Sequence, residues 1–223
     1  MRDATYTVFS PPNFKLAPRE DSMGITVQRM EPHWSYLLAI EQDLVQLARF
    51  VDFDERNFGC FSIEIARLLM AAAAETDVVC KQICIKHDPR SKASKIGAYK
   101  AALLRQFPRL PQFVVTIPRY GLGLKPWSNW NKKKNIEAPL WWTAYNKIKH
   151  HRHTDFHQGN LKNALNAIAG LFVMVIHLYE EKAAKGLLAP SPALLSVSAE
   201  NNGGTGFWDE ANHTTRYVLA RRC

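Results

Sequence analysis

The chain has 223 residues, 47% of them hydrophobic and 22% charged, proportions of a soluble globular protein long enough for one large domain or two small ones. Its four cysteines are too few for a disulfide scaffold and lack CxxC spacing, which reads as free thiols in a reducing cytoplasm rather than structural zinc. A net charge of +9, from 29 Lys and Arg against 20 Asp and Glu, favours a polyanionic partner, nucleic acid before membrane, although solubility alone also accounts for it.

Residues 1–33 read as an N-terminal arm. They contain Pro11, Pro12, Pro18 and Pro32, no helical period and no apolar signal core, with Thr5–Phe9 as a short candidate strand. From Trp34 the pattern changes. Leu37, Ile40, Leu44, Leu47 and Val51 alternate at steps of three and four, the stripe of an amphipathic helix. Ser62 is placed to cap a second helix, whose face is Ile65, Leu68, Ala72, Thr76, Val79 and Ile83. The Ala71–Ala74 run would admit a close helical neighbour. Glu75 reads as a rim carboxylate with its head in water; turned inward, it would require a cation, and Lys147, Lys149 and Arg152 are of the required kind.

Ile96 to Phe107 reads as a shorter helix closed by Pro108 and Pro111. Residues 112–117 have strand propensity, and Gly121-Leu122-Gly123 is suited to a hairpin. That glycine pair lacks the third glycine and the following helix of a nucleotide-binding fingerprint. A loop then carries Trp127, Trp130 and the consecutive Lys132, Lys133 and Lys134.

The stretch from Trp141 to His157 has the greatest chemical density in the chain. At helical period Asn146, His150, His153 and His157 fall along one face, Trp141, Tyr145 and Ile148 along an inward one, and Lys149 and Arg152 flank the imidazoles. Imidazoles next to fixed cations suit proton transfer at a phosphodiester. A basic amphipathic helix with solvated histidines is the plainer reading. Thr154 or Asp155 is expected to cap the next helix, with a break at Gly159. Leu161, Leu165, Ile168, Phe172 and Val175 then mark the most apolar helix of the chain, and Gly170 within it points to close contact with a neighbour. The apolar run from Ala164 to Tyr179 is too short to span a bilayer and carries Asn166 and His177, so it reads as a buried helix. Residues 184–223 read as a C-terminal tail, flexible at 201–206.

Two long helices, an aromatic-rich helix with Asn146-x-x-x-His150, and a strongly apolar helix together resemble the HEPN superfamily over about residues 34–183. The resemblance implies a mainly α fold, a HEPN-like helical bundle of about four main helices with short β decorations. Active members of that superfamily are metal-independent endoribonucleases, usually homodimers, with an Arg, a polar residue and a His after four to six intervening residues. Two registers fit. Tyr145-Asn146-Lys147-Ile148-Lys149-His150 matches with Tyr in place of Arg, and Arg152-His153-Thr154-Asp155-Phe156-His157 has all the required residue types. The resemblance implies His150, Asn146, Arg152 and His157 as catalytic candidates. Tyr145, Lys147, Lys149, His153 and Lys132–Lys134 are candidates to hold RNA phosphates. It implies no cofactor and no metal, RNA or nucleotide as ligand, a second copy or an antitoxin-type protein as partner, no membrane, and a cytoplasmic setting. Cleavage of RNA by a toxin or defence nuclease, and non-catalytic binding of RNA or nucleotides by a degenerate site, both remain open.

Overall fold

The computed structural model describes residues 29–131, 138–198, 202–210 and 213–220. The sequence expectations for Thr5–Phe9 and for Lys132, Lys133 and Lys134 fall outside them. Helix α1 (Pro32–Leu47) begins with proline in its first turn, where the missing N–H has no helical partner to lose. Helix α2 (Ile63–His87) starts at Ser62, whose side-chain oxygen accepts the Ile65 N–H at 3.1 Å, a cap worth about 1 kcal/mol. Three further helices come after it: α3 (Ile96–Gln106), α4 (Leu140–Asp155) and α5 (Leu161–Leu178), the last succeeded by the short α6 (Glu180–Ala184). The protein is thus mostly helical, with a few short strands.

Helices α2 and α5 form the central pair, and α1 and α4 each pack against both. Every expected core position on α1 from Leu37 to Leu47, and the whole predicted face of α2, is buried. Ala72 and Ala73 are fully covered, consistent with their small size at a helix contact. Helix α5 is buried nearly all round, as expected of a helix with neighbours on every side. It starts at Leu161, earlier than the apolar run alone suggests. At 18 residues and mean hydropathy 1.6 it is long and apolar enough to cross a membrane, yet 83% of it lies inside the protein.

Three sequence expectations need correction, the third concerning Glu75. The cap of α5 is neither Thr154 nor Asp155 but Asn160, whose Oδ1 accepts the Asn163 N–H at 3.1 Å. A short 3₁₀ turn over Phe156–Gln158 intervenes, so the helix starts where a side-chain acceptor reaches its first free donors. The stretch expected to be flexible near the C-terminus instead contributes strand. Strands β1 (Val115–Ile117) and β2 (Leu122–Leu124) form a hairpin as expected, but its turn is Pro118–Tyr120 with Gly121, and Leu122 and Gly123 pair within β2. Strand β3 (Ser196–Val197) pairs antiparallel with β1, and β4 (Gly204–Asp209) with β5 (Thr214–Leu219). A β-carbon on Gly203 would lie 2.7 Å from the Phe113 Cα, so the glycines serve close packing here.

This C-terminal segment is tied to the helices by polar bonds that composition does not reveal. Glu41, only 3% exposed, accepts the backbone N–H of Ala193, Leu194 and Leu195, each at 2.8 Å. The Trp34 indole donates to the Pro190 carbonyl at 3.0 Å while its ring meets Phe172 and Tyr217. Glu75 is also corrected. It is half-buried and pairs with His33 Nδ1 at 2.5 Å, not with a cation of α4. The partner lies at the start of α1, 42 residues earlier, where no local pattern links the two.

Candidate functional site

Helix α4 is held by its aromatic residues. Trp141 is buried, donates its indole N–H to the Pro126 carbonyl at 2.9 Å, and packs edge-on against Trp127 and Trp142. Trp142 in turn meets Tyr145 edge-on. The predicted inward face of Trp141, Tyr145 and Ile148 is therefore observed, and it leaves the basic residues outside. Tyr145 itself is only 8% exposed, so at the arginine position of the first register stands a core aromatic.

The expected continuous stripe of imidazoles is interrupted. His151 has φ −135° and ψ 40°, which kinks α4 immediately after His150. The Thr154 hydroxyl donates to the His151 carbonyl at 3.2 Å, taking up an acceptor at the kink. Beyond Asp155 the chain enters the 3₁₀ turn that carries His157. Asn146, His150, His153 and His157 therefore do not continue one helical face, and among the described residues no three His, Cys, Asp or Glu side chains converge as a metal-ligand set.

The kinked half of α4 and the start of α2 form an open groove. Lys149, His150, Arg152 and His153 line it together with Ile63 and Phe156, around a volume of about 690 Å³. An adjoining hollow of about 430 Å³ shares Ile63, Lys149 and Arg152 with it and reaches Arg67 and Met70. The four residues that α4 contributes, Lys149, His150, Arg152 and His153, are all exposed. The Lys149 ammonium lies 5.6 Å from the centre of the Tyr145 ring and the Arg152 guanidinium 5.4 Å from that of Phe156, so aromatic faces position both cations. Phe61, about half-exposed, meets Phe156 edge-on beside them. Arg67 is committed elsewhere: it bridges Glu64 and Asp43, and its guanidinium holds the Glu64 carboxyl below the usual range.

The other candidates lie apart from this groove. Asn146 is exposed but does not line it. His157 is exposed on the 3₁₀ turn, its Nε2 at 2.8 Å from the Gln158 amide. Lys147 faces the opposite side of α4, where its ammonium is 3.7 Å from Asp155. There it lines a second cleft of about 440 Å³, between α4, the start of α5 and the 3₁₀ turn Ser128–Asn131. Lys125 and Lys162 supply further positive charge to this cleft, and Asn129, Asn163 and Asn166 supply amides.

Apart from Trp141 and Lys147, periodicity and motif spacing do not single out the residues of this second cleft. Their one local signal is Lys162, Asn163 and Asn166 on an otherwise apolar helix, and the other wall comes from a loop distant in sequence. Ile63 is equally unmarked as a groove residue, because it reaches the groove only through packing of α2 on α4, and Phe61 adjoins the groove only through its contact with Phe156. Comparison of the chain with protein-family models, with curated proteins and with solved structures finds no significant match.

Proposed function

We propose that the protein is a HEPN-like bundle that binds single-stranded RNA along the groove between α4 and the start of α2. The observation that carries this reading is the shared lining of that groove by Lys149, His150, Arg152 and His153 beside Phe156. Lysine and arginine neutralise phosphates, while exposed aromatic rings such as Phe61 give unpaired bases a face on which to stack. An open groove with solvent on one side suits a flexible strand better than an enclosed small ligand. The packing of α1, α2, α4 and α5 as one bundle supports the HEPN-like assignment. Fluorescence anisotropy with a labelled single-stranded RNA, over a range of salt, tests it. Binding is expected to weaken with salt and to fall in the Lys149→Gln/Arg152→Gln double variant. Binding indifferent to both changes would exclude the groove as the RNA site.

A second reading, cleavage without a metal, is favoured by the presence of His150 and Arg152 in the same groove. In it the ribose 2′-hydroxyl attacks the adjacent phosphorus and the 5′-oxygen leaves. His150 transfers the proton and Arg152 stabilises the added negative charge. Arg152 then supplies the cation that the buried Tyr145 does not. Cleavage that persists in chelator, leaves 2′,3′-cyclic phosphate ends and is lost in His150→Ala identifies this chemistry.

A further inference from the structure

We propose that the second cleft, on the far side of α4, is a nucleoside-phosphate site: Lys125 and Lys162 take the phosphate, and Asn163 and Asn166 take hydrogens of the base or ribose. The cleft volume of about 440 Å³ falls in the range of small-molecule sites. Among the described residues three lysines line it, and Asp155, the partner of Lys147, does not, so their charge favours an anion. Its walls also include Leu140 and the edge of the buried Trp141, an apolar surface against which a flat base can rest.

The amides supply direction. Asn163 donates its side-chain N–H to the Gln158 carbonyl at 2.9 Å, and Asn166 donates to the Lys162 carbonyl at 2.9 Å. With both amide nitrogens engaged on backbone, the oxygens remain as acceptors, suited to an exocyclic amino group or a ribose hydroxyl. The lysines supply only donors, suited to phosphate oxygens. The α5 wall carries these acceptors together with Lys162, and Lys125 and Lys147 come from the loop and α4, so the cleft offers both acceptors and cations to a ligand with N–H or O–H groups and a phosphate. A free mononucleotide and the terminal nucleotide of an RNA both have this chemistry. The site is independent of the RNA groove, since Thr143 and Lys147 stand on the other side of α4 from Lys149 and Arg152.

Isothermal titration calorimetry on the full chain tests the proposal, with AMP, adenosine, inorganic phosphate and a 5′-phosphorylated trinucleotide as separate titrants. AMP is expected to bind more tightly than either adenosine or phosphate. Thr143→Glu places a carboxylate among the lysines at an exposed helical position, and Lys125→Gln removes one cation from an exposed loop position. Each is expected to weaken AMP about tenfold or more, the scale of a charged hydrogen bond. Lys149→Gln, in the other groove, should leave AMP binding unchanged while weakening RNA. Preference for AMP over the trinucleotide assigns the site to a free nucleotide, and equal affinity to an RNA end. Absence of AMP binding by the wild type would overturn the proposal. So would AMP binding unaltered in both Thr143→Glu and Lys125→Gln, or phosphate binding as tightly as AMP.

Discussion

A β-carbon on Gly170 would stand 2.9 Å from the Trp141 ring carbon Cζ2, so α4 rests directly on the backbone of α5. The Trp141 ring has no room to yield, because its indole N–H is bound to Pro126 and the ring packs against Trp127 and Trp142. Both the groove beside the start of α2 and the second cleft depend on where this contact seats α4.

Gly170→Ala is therefore expected to destabilise the protein. The helix gains about 1 kcal/mol from alanine, but overpacking a rigid site costs about 1–3 kcal/mol. A net loss in a urea titration, with a larger loss for Gly170→Val, is the expected outcome. A more stable Gly170→Ala protein would show that the ring can move.

Glu41→Ala should detach the C-terminal segment. Three backbone donors lose their acceptor together, those of Leu194 and Leu195 buried, and each unsatisfied buried donor costs about 1–3 kcal/mol before water partly replaces the carboxylate. A destabilisation of about 3 kcal/mol is expected, accompanied by faster proteolytic cutting after Ala184. Cutting at an unchanged rate would show that the strand pairings hold the segment without Glu41.

His177 is a pH-dependent element of the core. It is fully buried between Phe107 and Phe113, its Nδ1 donates to the Val173 carbonyl, and burial lowers its pKa to about 4. The unfolded chain, with imidazole near 6.5, binds more protons between these values, so stability rises with pH across that window. The contribution is complete above about pH 6.5 and is lost as pH falls toward 4, on the order of 3 kcal/mol. His177→Gln should flatten the stability profile between about pH 6.5 and 4. A profile as steep as that of the wild type would assign the acid sensitivity to other groups.

In the groove, the two readings separate by variant. Lys149→Gln and Arg152→Gln should each reduce the salt slope of RNA binding by ~0.7 log units for every phosphate left without its cation. Replacement of Lys132, Lys133 and Lys134 should do the same if that loop also touches the strand. His150→Ala should leave binding largely intact and, where cleavage occurs, slow it about 10²-fold or more. Equal cleavage by wild type, His150→Ala, Arg152→Ala and His157→Ala would identify a contaminating nuclease.

Much of the helical frame is legible in residue order alone. The three-and-four spacing from Leu37 to Leu47, the Ser62 cap and the continuous apolarity of α5 each report on local periodicity, and burial agrees with them. Gly170 inside an apolar helix also signals its own close contact. The inward face of α4 is legible for the same reason, because Trp141, Tyr145 and Ile148 share it through helix geometry.

The arrangement of the chemistry was decided by tertiary structure. The kink at His151 separates His150 from the helical face on which His153 and His157 would have continued. The pairings of Glu75 with His33 and of Glu41 with the backbone of 193–195 join residues 42 and about 150 positions apart. The cleft beside Lys147 combines a loop, one face of α4 and the first turns of α5. Residue order determines which side chains are apolar at each turn, since that is a local property of a helix. It does not determine which distant polar groups meet, because that depends on how closely packed helices and strands bring their backbones together.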